Sequence, residues 1–312
     1  MKVILYNKNY KNCISSIAMG KKYFLDWQIY AKPYWIDYCK KNRLNLIIFD
    51  KLIIKPGDKY FKKINWQKLL IGEEIRKKFK NIENVCYLDT DILINSLAPN
   101  IFKKFDKKKI SVISKRLRLP YNYEKTIKKI AFFRKKFVNK KYLLNSSINI
   151  PLKKLYEIHN LKAQKDEFCS GVYVFNIAKY SIFMKNIFFK YDKDVKSITS
   201  NGDQTHINYE FQKNAKVNFI DYKYQTIWLY DLINYYPFLL LSKNKKLIAE
   251  CIRSSLFNCY FLHFAGTGSE SNVWRNKFLI NKSYLAKNFL LEFDKYLNKK
   301  INKVHLKFIK LN

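Results

Sequence analysis

A chain of 312 residues that is 48% hydrophobic and 17% aromatic carries too much apolar matter to stay disordered, and it is long enough to bury a full core. Its 61 Lys+Arg against 24 Asp+Glu give a net charge of +37, but the basic residues are spread without one dense tract. That distribution favours a solvated surface with general affinity for polyanions over a dedicated nucleic-acid groove.

The six cysteines (Cys13, Cys39, Cys86, Cys169, Cys251, Cys259) form no Cys-x-x-Cys pair and no zinc spacing, so reduced, buried thiols and a cytoplasmic setting are expected. The opening Lys2-Val3-Ile4-Leu5-Tyr6 is too short for a signal-peptide core. The most apolar stretch, Tyr235 to Ser242, falls far short of the roughly 18 to 20 residues of a membrane span.

In chain order, Lys2 to Tyr6 reads as a first strand, followed by the polar turn Asn7-Lys8-Asn9. Tyr23 to Lys41 has apolar residues at helical spacing, with Pro33 starting a second helix. Leu44 to Phe49 is a buried strand, and 51–63 is loop. Trp66 to Phe79 is an amphipathic helix capped by Asn65, whose Lys68 and Arg76 are assigned to a solvated face in preference to a role in reaching phosphate.

Val85-Cys86-Tyr87-Leu88 then ends abruptly in Asp89-Thr90-Asp91. A short, β-prone, unalternating run is a strand buried on both faces, and its carboxyl end is where open α/β sheets bind ligands. Two carboxylates there can converge on a hard cation that keeps sites free for phosphate oxygens, although a turn that merely uses Asp has the same local sequence. Alternating strands and helices predict an α/β fold with a mostly parallel sheet flanked by helices.

Ser96 to Phe105 is a connector, with Leu97, Pro99, Ile101 and Phe102 tucked under the sheet, and Ile110 to Ser114 is another strand. The basic stretch 115–165 is expected to be a helical insertion. Three later stretches carry four of the chain's seven glycines: Cys169-Ser170-Gly171-Val172, Asn201-Gly202-Asp203-Gln204, and His263-Phe264-Ala265-Gly266-Thr267-Gly268. So few glycines, placed so, predict backbone that must approach something closely. Ser283 to Lys299 reads as an amphipathic helix before a basic tail. Trp27, Trp35, Trp66 and Trp228 are assigned to the core, and His159, His206 and His305 to surface or cap positions.

The order Tyr87-Leu88-Asp89-Thr90-Asp91, Ser170-Gly171-Val172, Asp203-Gln204 with Asn208, and His263-Phe264-Ala265-Gly266 resembles the glycogenin and lipopolysaccharide-galactosyltransferase family of GT-A glycosyltransferases. The resemblance spans roughly Lys2 to Gly268. It implies a GT-A domain over 1–280, including the 115–165 insertion, and a separate helix and tail over 281–312. It further implies manganese or magnesium held by Asp89, Asp91 and His263, and Asp203 and Gln204 beside the reacting anomeric carbon. Tyr6, Thr90, Ser170, Gly171, Gly266 and Gly268 would surround the nucleotide-sugar.

The implied donor is a UDP-sugar and the acceptor a glycan or lipid-linked saccharide, as in surface-glycan synthesis. No specific nucleic acid is implied, and the basic surface would meet the anionic inner face of a membrane. Three departures stand out: Cys169-Ser170 replaces Asn-Ala, Thr205 replaces a second Asp, and no Lys-Pro-Trp follows the histidine loop, leaving Arg275 or Lys277 to replace its lysine. Two other classes fit parts of the sequence. A metal-dependent nuclease or phosphoryl-transfer enzyme would use the same acids, and a non-catalytic polyanion binder would use the charge alone.

Overall fold

The computed structural model describes residues 1–138, 147–191, 202–266 and 268–280. Asn201, Thr267, part of the basic insertion, His305 and the expected C-terminal helix and tail lie outside the described residues.

Strands β1 (Lys2–Leu5), β2 (Asn12–Ile17), β3 (Asn45–Phe49), β4 (Asn84–Leu88), β6 (Ile110–Ser114), β7 (Phe168–Asn176) and β8 (Val217–Phe219) form one sheet in the order β1-β3-β2-β4-β7-β6-β8. A smaller sheet joins β5 (Ile92–Ile94), β10 (Phe261–His263) and β9 (Thr226–Ile227) in the order β5-β10-β9. The α/β organisation is as expected, but strand directions are mixed. β3, β2 and β4 run parallel, as do β6 and β8, whereas β1 and β7 run antiparallel to their neighbours.

The helices are α1 (Lys21–Asp26), α2 (Lys32–Asn42), α3 (Ile64–Gln67), α4 (Ile71–Lys78), α5 (Tyr123–Phe133), α6 (Leu152–Ile158), α7 (Ile177–Lys190), α8 (Gln204–Asn214), α9 (Trp228–Tyr235) and α10 (Lys245–Asn258). A π-turn, Trp27–Ala31, joins α1 to α2, and Pro33 sits in the first turn of α2, where its missing N–H costs nothing. Lys63, not Asn65, occupies the cap position of α3, and a tighter 3-10 turn at Lys68–Leu70 separates α3 from α4.

Alternation along the central strands divides the core in two. Cys86 and Leu88 of β4 face one layer with Trp27, Trp35, Trp228 and Ile252, while Val85 and Tyr87 face the other with Trp66, Ile75, Met184 and Phe211. All five residues of β4 are buried, as its unalternating sequence requires. The four tryptophans assigned to the core are at most 5% exposed. All six cysteines are free and buried.

The short strands β5, β8 and β9 were unforeseen from sequence, as was β2, which lies beside β4 in the middle of the large sheet. Its Ser15 and Ser16 are completely buried, with hydroxyls that have no hydrogen-bond partner, so a polar pair interrupts what would otherwise read as an apolar run.

Candidate active site

The two sheets meet at the carboxyl end of β4, and their registers bring the distant motifs together. In the large sheet β7 pairs Val172 with Leu88, and the Asp89 N–H donates to the Gly171 carbonyl at 2.9 Å. In the small sheet β10 pairs His263 with Ile92, one residue beyond Asp91. The Phe264 N–H then donates to the Asp91 carbonyl at 3.0 Å. Backbone pairing alone therefore sets Asp89, Asp91, Gly171 and His263 around one point.

Side-chain geometry completes the cluster. His263 Nε2 lies 3.2 Å from Asp91 Oδ1 and 3.7 Å from Asp89 Oδ2. One ligand atom from each of the three lies within 4.8 Å of the others. Neighbouring ligands of an octahedral ion at about 2.1 Å stand about 3.0 Å apart, so this spacing fits manganese or magnesium with little adjustment. The imidazole is 2% exposed, whereas the Asp89 and Asp91 side chains are 35% and 26% exposed, leaving the acidic side of the cluster open to a ligand.

The surroundings orient each donor. Tyr87 donates its hydroxyl to Asp89 Oδ1 at 2.7 Å. Gln225, turned so that both ends of its amide are satisfied, donates to the Cys169 carbonyl and accepts from the Val172 N–H and from His263 Nδ1, each at 3.1 Å. That bond commits the Nδ1 proton to Gln225 and leaves Nε2 as the atom facing the acids, where it can carry a proton or, once deprotonated, ligate a metal ion. With no ion present, burial disfavours a charged His263, but Asp91 overcomes this and lifts the imidazole pKa well above its usual range. Burial likewise opposes ionisation of Asp91, and His263 reverses the effect and holds that carboxyl low. A proton on the imidazole thus serves the two acids as a cation would.

Gly171 is required here by space. A Cβ at this position would lie 2.4 Å from His263 Cε1 and 2.7 Å from Asp89 Oδ2. The glycines of the histidine loop have a different neighbour from the ligand expected. Gly266 has a φ of +118°, open to glycine but rarely to other residues, and a Cβ there would meet Ser271 Oγ. A Cβ on Gly268 would run into the Glu270 carboxylate. This loop closes on its own side chains, and Glu270 is in turn held by Arg134 of the insertion at 2.6 Å.

Behind the acids lies a group that sequence reasoning placed on a solvated face. Lys68 is 3% exposed and reaches Asp203 Oδ2 at 2.6 Å and Ser170 Oγ at 2.8 Å. Burial alone would lower its pKa, but Asp203 and Asp89 outweigh that and keep the ammonium charged. Its charge also lies 5.7 Å from the ring of Tyr87, the residue that holds Asp89. Arg76, by contrast, is exposed and paired with Glu73 within its own helix.

Asp203 immediately precedes α8 and is 2% exposed, its carboxylate committed to Lys68. Gln204 is also buried and donates to Glu167 Oε1 at 2.6 Å, the oxygen that Lys115 reaches at 2.5 Å. Arg116 holds the other Glu167 oxygen. His206, expected at a surface or cap, is 4% exposed and packs against Trp66, Tyr191 and His159. Burial, helped by neighbouring His159, pushes its pKa down to about 4. Arg275 pairs with Asp26 at 2.7 Å and lies over Trp274, beside the loop that follows His263.

Tyr6 does not reach this site. β1 is antiparallel, with Lys2 opposite Ile48 and Leu5 opposite Leu46, so Tyr6 emerges at the amino end of β3. There it is 45% exposed and donates to Asn81, just before the start of β4. The expectation took the first strand as the first parallel strand; that place belongs to β2, which ends at Ile17 on the same edge as Asp89. Lys68 and Gln225 are neighbours of the cluster that sequence reasoning missed. Each is a single polar residue whose partner is distant in sequence.

No family model matches the chain, and no curated protein matches it. Among solved structures it is similar to a glycosyltransferase involved in glycosylation of the major capsid of PBCV-1, at 12% identity and a TM-score of 0.47, covering 84% of this chain and 97% of that one. It is also similar to the bifunctional glycosyltransferase WbbM, at 12% identity and a TM-score of 0.48, over 83% of this chain and 46% of that one. A third similar structure is the galactosyltransferase LgtC in complex with donor and acceptor sugar analogues, at 12% identity and a TM-score of 0.45, covering 95% of this chain and 99% of that one.

Proposed function

We propose that the chain is a metal-assisted glycosyltransferase that moves a hexose from a nucleoside-diphosphate sugar, with UDP the preferred nucleotide, to a glycan or lipid-linked saccharide. The observation that carries this reading is the convergence of Asp89, Asp91 and His263, oxygen and nitrogen donors buried on one side and open on the other. Two oxygens and one imidazole suit manganese better than calcium. When bound, the ion would offset the negative charge that grows on the departing nucleoside diphosphate.

The protein's own groups supply the rest. Tyr87 and Gln225 fix the directions of Asp89 and His263, so the cluster is set before a ligand arrives. Gly171 leaves room for the His263 and Asp89 side chains to converge, and its carbonyl and that of Ser170 are fixed by Asp89 and Lys68. Lys68 holds the Asp203 carboxylate in place, so Asp203 acts on the reacting centre through its field and through Ser170. The nucleotide is assigned to the carboxyl ends of β2 and β3 beside β4, where parallel strands leave a crevice. Arg275 is the side chain we assign to the diphosphate, in place of the absent lysine.

The +37 charge is assigned to peripheral contact with an anionic membrane surface at the cytoplasmic face, where such acceptors grow. Among the described residues no helix is long and apolar enough to cross a membrane. Pelleting with anionic but not neutral vesicles tests this part. The enzymatic reading is tested by melting the protein with UDP and manganese together. The pair is expected to raise the Tm, neither alone is expected to do so fully, and Asp91→Asn is expected to abolish the shift.

A further inference from the structure

A cavity lies apart from the acidic cluster, between α9, α10 and the turn that precedes β9. It encloses about 330 Å³, at the lower end of the roughly 300–1,000 Å³ typical of small-molecule sites. Adjacent residues separate the two sites: Gln225 reaches His263, whereas Thr226 lines the cavity.

Its floor is polar and carries an acid without a basic partner. Asp231 is 6% exposed, and no Lys or Arg among the described residues lies within ion-pair distance of it, despite 61 such residues in the chain. The Ser255 and Thr226 hydroxyls, on residues 2% and 5% exposed, lie beside it, Ser255 against the Asp231 carboxylate and Thr226 against Cys259, and neither brings a positive charge. Burial lifts the Asp231 carboxyl to about 6, eased slightly by the nearby Ser255. An acid so placed is costly to the fold unless something brings it a positive charge.

The walls are aromatic. Tyr222, Tyr235 and Tyr236 line the cavity, and Tyr121 packs edge-on against Tyr235. Tyrosine faces carry negative potential, and a carboxylate among them is the chemistry that recognises an organic cation. A neutral polyol could hydrogen-bond to the carboxylate and the hydroxyls, but it would leave the buried negative charge uncompensated, which a cation does not. A hard metal ion would need more oxygen ligands than one carboxylate and two hydroxyls supply.

We propose that this cavity binds a small organic ammonium ion, a primary or quaternary amine held by the Asp231 carboxylate within the tyrosine walls. The site is independent of the transferase reading and would stand if that reading failed.

The test is calorimetry and saturation-transfer NMR on the full chain at pH 8, with choline and ethanolamine as cationic probes and glycerol and galactose as neutral ones. Saturable binding of at least one cation is expected, with none of the neutral probes. Asp231→Asn is expected to abolish it while keeping a cooperative melting transition. Tyr235 is 53% exposed and its replacement is tolerable to the fold; Tyr235→Leu is expected to weaken binding about two- to fivefold. The proposal is overturned if neither cation binds, if the polyols bind as well, or if a folded Asp231→Asn protein binds the cations unchanged.

Discussion

Asp203 and Asp231 are both buried acids, and the molecule treats them in opposite ways. Asp203 has Lys68 at 2.6 Å and the Ser170 hydroxyl nearby, so its charge is matched and fixed beneath the acidic cluster. Asp231 has the Ser255 hydroxyl and a lining of tyrosines but no basic partner among the described residues, and burial pushes its carboxyl up to about 6. The difference separates two uses of a buried charge. A paired one sets the shape and field of a site in advance, while an unpaired one keeps a penalty that only a ligand or a proton relieves.

The comparison breaks most severely if Asp203 is made to resemble Asp231. Lys68→Met strands the Asp203 carboxylate and is expected to destabilise the fold by about 3–5 kcal/mol in denaturant titration. Adding Asp203→Asn should recover much of that loss, because the orphaned charge is gone. If the single variant is as stable as the parent, the pair is not the structural element described here.

Next in size is the pH response of Asp231. Its folded pKa lies above the unfolded value, so the native state binds the proton more tightly. Its contribution to stability therefore rises as pH falls through about 6 and levels off below 3.8, by on the order of 2–3 kcal/mol. Other carboxyls oppose this trend; burial works against the charge of Glu167, for example, but Lys115 and Arg116 hold its pKa low. The prediction thus concerns a difference: the parent gains on Asp231→Asn as pH is lowered from 7 to 4. A constant gap would contradict it.

Much of the acidic cluster was legible because its members end strands. Asp89 and His263 each close a short apolar run, Asp91 lies in the turn directly after Asp89, and strand ends in α/β folds converge by topology. Lys68 was not legible, since a lysine on an amphipathic helix reads as solvent-facing and its partner lies beyond residue 200. Gln225 and the burial of His206 were hidden for the same reason. β2 escaped notice because Ser15 and Ser16 break its apolar pattern, and Tyr6 was misplaced because β2 had not been seen.

A smaller perturbation sharpens the contrast at the cluster itself. Gly171→Ala puts a methyl group against His263 and Asp89, and is expected to cost about 1–3 kcal/mol of stability. It should also remove the thermal shift from UDP and manganese, whereas Asp231→Asn should leave that shift in place. Least affected is Tyr6→Phe, which loses one exposed hydrogen bond to Asn81. It is expected to stay within about 0.5 kcal/mol of the parent and to bind nucleotide equally.

The central claim is that Asp89, Asp91 and His263 hold one divalent ion. Electron paramagnetic resonance of free manganese, titrated with protein in the presence of UDP, counts bound ions directly. The account predicts one tight site per chain, lost in Asp91→Asn and in His263→Ala while both variants still melt cooperatively. Undiminished manganese binding in those folded variants would contradict it.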